Sequence, residues 1–111
     1  MRWNTTKAFL NPVRKRANLR VITGAQVRRL ILRRDADGSL CCQGVEWQPP
    51  DGQAVLATAD RGVVMAAGAV GTPQILQLSG IGPPALLRRH GIAVQHALDG
   101  VGENLQDHLQ I

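Results

Sequence analysis

Apolar and polar side chains alternate along much of the first half of the chain, as they do in strands with one buried face. Residues 18–34 carry apolar and often β-branched side chains at even spacings, which predicts one long strand or two short strands broken near Gly24. The same kind of pattern over residues 40–48 and 54–59 predicts two further strands.

Turn sequences separate these three segments. Residues 35–38 read DADG and residues 49–53 read PPDGQ, and both contain the Asp-Gly step that is typical of tight turns. Short turns join antiparallel neighbours, so we expect residues 18–59 to form a three-stranded antiparallel β-meander.

The hydrophobic pattern changes after the third strand. Residues 62–69 are almost all apolar, as in a strand that is buried on both faces of a parallel sheet. A helix is predicted directly afterwards, because Thr72 is a favourable N-cap and Pro73 suits the first helical position. Gly80 would end this helix. Three aliphatic residues would supply its buried stripe: Ile75, Leu76 and Leu78.

The last thirty residues predict one more helix and a stretch of extended chain. Residues 83–90 favour a short second helix that ends at Gly91, and residues 92–111 combine an extended segment with loop signals. The predicted fold class is mixed, α+β or α/β. It contains the β-meander, one buried sheet strand and two short helices, with the strand and both helices in residues 62–91.

Composition and charge narrow the classes of function. Hydrophobic residues make up 44% of the chain, which is enough for a packed core, and no apolar run reaches the roughly 18 residues of a membrane span. The formal net charge is +5, but no long basic run with interleaved aromatic residues is present, so we expect no nucleic-acid partner. The basic residues stand mostly in small groups, at 14–16, 28–29, 33–34 and 88–89.

The first residues and the cysteines indicate neither export nor a metal. Residues 1–17 are polar and basic without the apolar core of a signal peptide, and Asn11-Pro12 predicts a break because the residue before a proline avoids the helical conformation. Cys41 and Cys42 are adjacent, which rarely allows a disulfide, and no residue at metal-ligand spacing lies near them. We therefore expect a cytoplasmic protein without a metal site.

Four glycines fall within the fifteen residues GAVGTPQILQLSGIG, positions 68–82. A strand, a glycine turn and a helix form a place where ligands bind in open α/β sheets, because the first-turn N–H groups are unpaired and the helix dipole is positive there. Ala67, Gly68 and Ala69 are therefore candidates for contact with a nucleotide or its phosphates. Close packing of the helix on the strand explains the same glycines without a ligand, and the spacing alone does not decide.

The same stretch resembles the second signature of the glucose-methanol-choline (GMC) oxidoreductases. The resemblance covers nearly the whole chain and is nearest to choline dehydrogenases and related alcohol dehydrogenases. VVMAAGA at 63–69 resembles the apolar strand before the signature, and GVGENLQDH at 100–108 resembles a stretch frequent in the family. Every constrained position of the signature matches: Gly68, Ala69, Thr72, Pro73, Ile75, Leu76, Ser79, Gly80, Ile81 and Gly82.

This resemblance implies that residues 1–111 are part of a Rossmann-like domain that binds FAD. In the whole enzyme, a small-molecule alcohol would lose its hydroxyl proton to a general base and a hydride to the flavin. Val27 would lie with its backbone against the adenine, and Asn104 would lie near the flavin end. The implied cofactor-binding residues are Val27, Ala67, Gly68, Ala69 and Asn104.

Two parts of the family pattern have no counterpart in this sequence. A Gly-x-Gly-x-x-Gly turn, which holds the FAD pyrophosphate in the family, is absent, and so is the catalytic His with its His or Asn partner. His90, His96 and His108 are not expected to replace it, since adjacent residues such as Asp107 and His108 seldom face each other. We therefore expect an internal piece of a longer polypeptide, with no catalytic residue of its own and inactive by itself.

Two other classes of function stay open. In the first, the chain is a stand-alone, non-catalytic domain that binds a nucleotide, or that binds a protein partner through exposed sheet edges. A weaker alternative is a basic nucleic-acid binder. The DNA upstream of Met1 discriminates, because an in-frame code for Gly-x-Gly-x-x-Gly would favour the enzyme.

Overall fold

The structure is a computed structural model that describes residues 3–109. Both ends of the predicted 1–111 unit, residues 1–2 and 110–111, lie outside the described residues. The elements are, in order, a π-helical segment Thr6–Leu10, α1 (Asn11–Val13), β1 (Gln26–Arg34), β2 (Leu40–Gln48), β3 (Val55–Thr58), α2 (Gly68–Leu78), β4 (Ile81–Gly82), α3 (Pro84–Arg89) and β5 (His96–Ala97).

The predicted β-meander is confirmed. The strands β1, β2 and β3 form one antiparallel sheet in that order, in which Leu30 pairs with Val45 and Val45 with Ala57. Two register shifts, which locally bend and twist a strand, interrupt the pairing of β1 with β2. They fall between Val27 and Arg29 and between Ile31 and Leu32.

The segment 18–34 forms one strand that begins at Gln26, so neither the predicted long strand from residue 18 nor a separate short strand before Gly24 forms there. The partner strand β2 ends at Gln48, directly opposite Gln26. Residues 18–25 therefore have no strand to pair with, and their apolar pattern alone does not make them part of the sheet.

The predicted turn between β1 and β2 is held by hydrogen bonds within residues 35–39. The Gly38 N–H donates to the Asp35 carbonyl at 2.9 Å. The Asp37 carboxylate accepts the Ser39 hydroxyl at 2.7 Å and the Ser39 backbone N–H at 2.9 Å. Both hydrogen bonds favour the ionised carboxylate and hold the pKa of the exposed Asp37 carboxyl below its usual range. The bond from the Ser39 hydroxyl has the larger effect and the bond from the Ser39 N–H the smaller one.

Residues 62–67 do not form the predicted buried strand. Within residues 3–109 the segment pairs with no other strand, and Val64 is 92% exposed. A strand of this kind is stable only between hydrogen-bonded neighbours and under covering helices. The described chain supplies neither, so the prediction of a buried strand is wrong here.

Helix α2 begins more than one turn earlier than predicted. Its first residue is Gly68, whose φ of +85° is a conformation that only glycine adopts readily and that lets the chain turn into the helix there. Thr72 is not the N-cap but lies inside the helix, where its Oγ1 accepts the Ala67 N–H at 3.0 Å. Pro73 also lies inside the helix rather than at its first position. The predicted roles of both residues are therefore wrong.

The predicted ends of both later helices are confirmed. Gly80 follows the last turn of α2 with a φ of +84°, and Gly91 follows α3 with a φ of +69°. At the end of α3, the Gly91 N–H donates to the Arg88 carbonyl at 3.0 Å and the Ile92 N–H to the Leu87 carbonyl at 2.9 Å. This is the Schellman arrangement, which satisfies two carbonyls that the helix leaves unpaired.

The chain after α2 folds back beside it through a pairing that the sequence did not predict. Strand β4 pairs in parallel with β5, with Ile81 opposite His96. Helix α2 thus lies between the meander and the last segment of the chain. The buried apolar residues of the described chain come from these parts: Leu30, Ile75, Leu87 and Val101.

The predicted break at Asn11-Pro12 is wrong. Asn11 has helical φ and ψ angles of −58° and −41°, and helical structure runs from Thr6 to Val13. The clash with a following proline disfavours the helical conformation without forbidding it. Pro12 therefore lies inside this helical run, where it leaves one helical hydrogen bond unmade.

Candidate functional site

The start of α2 presents unpaired backbone donors to solvent. The N–H groups of Gly68, Ala69 and Val70 belong to the first turn, which has no preceding carbonyls to accept them, and all three residues are exposed. No side chain caps this end, and no acidic residue stands in the first turn. The donors and the positive end of the helix dipole therefore suit an anion or an acceptor atom.

Gly68 leaves open space beside this end of the helix. A Cβ atom built on Gly68 would have no atom within 4 Å, so its backbone is accessible from that side. Glycine is required at position 68 by the positive φ rather than by close packing.

A cavity of about 570 Å³ lies between α2 and the loop 100–106. We call it the Asn104 cavity. The helix contributes Ala69, Val70, Pro73, Gln74, Leu76 and Gln77, and the loop contributes all of its residues. Asn104 has a φ of +56°, and among residues 3–109 no other non-glycine residue has a positive φ. Asn tolerates this conformation better than most residues, but it still costs energy, and such residues often occur at functional sites.

Val27 lines a second cavity, of about 540 Å³, at the other edge of α2. We call it the Val27 cavity. It is formed by Gln26, Val27, Arg28, Arg29 and Glu46 of the sheet and by Gln74, Ile75 and Leu78 of the helix. Val27 itself is half-buried and pairs with Trp47 across the sheet, next to the first register shift.

The sheet side of the Val27 cavity carries net positive charge. The Arg29 guanidinium donates to one Glu46 carboxylate oxygen from Nε at 3.1 Å and from Nη2 at 2.8 Å, and Arg28 Nε lies 3.7 Å from the other oxygen. Two guanidinium groups thus meet one carboxylate. Since the Glu46 side chain is only 13% exposed while both arginines are largely exposed, the excess positive charge faces solvent.

The structure brings together some of the predicted site residues and separates others. Ala69 and Asn104 line the same cavity, and Ala67 and Gly68 precede Ala69 directly at the start of α2. Val27 lines the other cavity. The contact of each residue with a cofactor stays a prediction.

Two glutamines of α2 were missed by the sequence reasoning. Gln74 lines both cavities and so lies between them. Gln77 lines the Asn104 cavity, and its Nε2 donates to the Val101 carbonyl at 3.1 Å. Both stand at unconstrained positions of the signature, and their spacing of three residues, which places them on one helix face, is the signal that would have found them.

The histidines do not assemble a catalytic group in the described residues. His90 follows α3, His96 lies in β5, and both are exposed. Asp107 accepts the backbone N–H of His108 at 2.7 Å, which is not a bond to its imidazole ring. The expectation that these histidines are not catalytic stays a prediction.

Neither a metal centre nor a membrane span is found between residues 3 and 109. No cluster of three or more His, Cys, Asp or Glu side chains in this part of the chain could hold a metal ion. None of its helices has the length and apolar character that crossing a bilayer requires.

Comparison with known proteins identifies relatives of nearly the whole chain. A family model described as GMC oxidoreductase matches residues 1–110. The chain is 44% identical over 111 residues to the oxygen-dependent choline dehydrogenase of Photobacterium profundum, covering all of this chain and 18% of that protein. It is 43% identical over 111 residues to an alcohol dehydrogenase [acceptor] of Pseudomonas putida, covering 99% of this chain and 19% of that protein.

Solved structures share the fold. An FAD-dependent oxidoreductase from Chaetomium thermophilum superposes with a TM-score of 0.78 at 39% identity, over 86% of this chain and 16% of that one. Pyridoxine 4-oxidase from Mesorbium loti superposes with a TM-score of 0.76 at 32% identity, over 88% of this chain and 18% of that one. The predicted mixed fold class is confirmed by these matches. The chain spans about a fifth of the length of the curated relatives.

Proposed function

Because the chain belongs to the GMC oxidoreductase family, we propose that it forms part of the FAD-binding domain of an enzyme that oxidises a small-molecule alcohol. One observation carries the proposal. Ala69, which stands in the first turn of α2 with an unpaired N–H, lines the same cavity as Asn104. Two segments that are far apart in the sequence thus meet at one place that a cofactor can fill.

The residues present fit an anionic dinucleotide. The first turn of α2 offers backbone donors and no acidic side chain, and Gly68 leaves open space beside them. The arginines around Glu46 add positive charge at the Val27 cavity. Backbone N–H groups, a helix N-terminus and guanidinium groups are the donors that phosphate-bearing ligands use in proteins.

The chain's own residues would bind and orient the cofactor rather than perform chemistry. When bound, FAD supplies a flavin ring that accepts a hydride from the carbinol carbon of an alcohol. The Val27 backbone would hold the adenine end, and the start of α2 and Asn104 would lie along the rest of the cofactor. We infer that other parts of the polypeptide supply the group that takes the hydroxyl proton and the pocket that selects the alcohol.

A graft tests the proposal. The 111 residues of this chain replace the matching segment of the Photobacterium profundum choline dehydrogenase, to which they are 44% identical. We expect the purified graft to retain flavin through gel filtration, measured by its absorbance, and to oxidise choline. The 111-residue chain alone should oxidise no alcohol with a dye acceptor, even with added FAD.

The controls are the parent enzyme and a parent that lacks the segment. A graft that folds as well as the parent, judged by its thermal melt, but emerges without flavin contradicts the proposal. That result would instead favour a stand-alone, non-catalytic domain.

A further inference from the structure

We propose that Gln77 is a positioning residue, which holds the loop 100–106 on α2 and thereby sets where Asn104 stands relative to the start of the helix. The proposal rests on the proposed function, because the geometry that Gln77 sets is that of the Asn104 cavity. Nothing in the family signature assigns Gln77 a role, since it stands at an unconstrained position.

The first observation is a hydrogen bond between distant parts of the chain. Gln77 Nε2 donates to the Val101 carbonyl at 3.1 Å, across 24 positions of sequence, in a partly buried setting. Within residues 3–109 no other side-chain hydrogen bond joins α2 to this loop. Val101 is itself only 8% exposed, so its carbonyl has little access to water as an alternative donor.

The second observation concerns Gly102, directly after the anchored carbonyl. A Cβ atom at Gly102 would stand 2.8 Å from Gln77 Nε2, closer than real contacts allow. Gly102 also has a φ of +86°. The loop backbone therefore lies directly on the Gln77 amide. The positive φ favours glycine there, and a Cβ atom would displace the Gln77 amide from its place.

The third observation links the anchor to Asn104. Asn104 holds its positive φ three residues after Val101. A strained conformation of this kind persists only when its surroundings determine it. The Gln77 amide thus holds the loop side of the Asn104 cavity on its helix side. Without this hydrogen bond the loop is free to relax.

Hydrogen exchange on the full 111-residue chain tests the anchor without any cofactor. Gln77→Met keeps the length and helix propensity of the side chain but removes the donor. We expect the hydrogen-bonded amides of this segment, Leu98, Val101 and Glu103, to exchange roughly three- to tenfold faster, which is the range that one neutral hydrogen bond spans. The matched control is Gln48→Met, which removes a Gln amide bond to a backbone carbonyl, that of Gly52 at 3.3 Å, in the hairpin turn. The control should leave exchange in 98–109 unchanged.

A protonation switch distinguishes the hydrogen bond from general packing. In Gln77→Glu the acid can donate to the Val101 carbonyl when protonated but not when ionised. We express exchange in 98–109 as the ratio of the Gln77→Glu rate to the rate of the unsubstituted chain at the same pH. This ratio should be above one at pH 7 and return toward one below about pH 4, where a Glu carboxyl is usually protonated. The Gln77→Met ratio should not change with pH. A Gln77→Glu ratio that is equally flat overturns the anchor.

The graft described above connects the anchor to the cofactor. We expect Gln77→Met in the graft to raise the Kd for FAD by roughly three- to tenfold, with Gln48→Met unchanged. If the unsubstituted graft binds FAD and Gln77→Met binds it equally well while its loop exchanges faster, the positioning role is wrong and the proposed function stands. If the unsubstituted graft binds no FAD, both are overturned. Should Gln77→Met fail to fold in the graft, the FAD affinity of Gln77→Glu, taken relative to the unsubstituted graft at the same pH, decides at pH 7 and below about pH 4. A relative affinity that does not rise at the lower pH contradicts the proposal.

Discussion

The Oγ atom of Ser79 accepts the backbone N–H of Leu30 at 2.8 Å and donates to the Ile75 carbonyl at 2.6 Å. Leu30 lies on β1, an edge strand of the meander, and Ser79 directly follows α2. One buried hydroxyl therefore fixes the helix that lines both cavities against the sheet that carries Val27.

Removing this hydroxyl should destabilise the chain. Ser79→Ala leaves the buried Leu30 N–H without an acceptor, so we expect the free energy of unfolding to fall by about 1–3 kcal/mol. Urea denaturation followed by circular dichroism measures it. The control is Ser39→Ala, which removes an exposed hydroxyl that bonds Asp37 and should cost less. Equal costs for both substitutions would mean that the Ser79 bond does not join helix and sheet energetically.

Gly68 should affect both stability and flavin, whereas a matched glycine affects stability alone. Gly68→Ala and Gly91→Ala both place a side chain at a positive φ, +85° and +69°, with no atom within 4 Å of the new Cβ. We expect each to lower the free energy of unfolding by about 1–2 kcal/mol. Neither glycine lines a cavity itself, but Gly68 directly precedes Ala69 of the Asn104 cavity, whereas the residues beside Gly91 line neither cavity.

In the graft, Gly68→Ala should therefore lower flavin retention beyond what its thermal melt explains, and Gly91→Ala should not. Flavin absorbance after gel filtration, set beside the melt of the apo form, measures the difference. Should the two variants lose flavin to the same extent, the open space beside Gly68 is not occupied by the cofactor.

Val27 should contribute through its backbone. In the graft we expect Val27→Ile to retain FAD and Val27→Pro to lose it, because proline removes the N–H. Val55→Pro is the matched control, since Val27 and Val55 pair with Trp47 from its two sides and Val55 lines neither cavity. Flavin loss in Val55→Pro as large as in Val27→Pro would assign the effect to the sheet rather than to an adenine contact.

Pro73→Ala should stabilise the chain. Inside α2, Pro73 lacks the N–H that would pair with the Ala69 carbonyl, so alanine restores a helical hydrogen bond and we expect a gain of about 1 kcal/mol. Pro84→Ala is the comparison, because Pro84 begins α3 and its replacement should cost up to about 1 kcal/mol through the unfolded chain. Thermal melts give the sign. A lower melting temperature for Pro73→Ala than for the unsubstituted chain would mean that α2 starts at Pro73, as its sequence suggested.

Elements that depend only on residues close together along the chain could be predicted from the sequence. Strand β2 has the bounds predicted for it, residues 40–48, and both helix-ending glycines, Gly80 and Gly91, stand where they were predicted. Asp-Gly turns, strand alternation and glycine after a helix are local preferences of the backbone. The family signature likewise lies within one short stretch, so the relationship to known enzymes could be inferred without a structure.

Contacts between segments that are distant in the sequence could not be predicted and are known from the folded chain alone. Ser79 reaches Leu30 across 49 positions and Gln77 reaches Val101 across 24. No local sequence pattern predicts such contacts, because they depend on how α2 packs between the sheet and the last segment of the chain. The same reason explains why residues 62–67 form no strand although their apolar pattern predicts a buried one. The pattern shows that both faces of such a strand could be buried, but the strand forms only where hydrogen-bonded neighbours lie beside it.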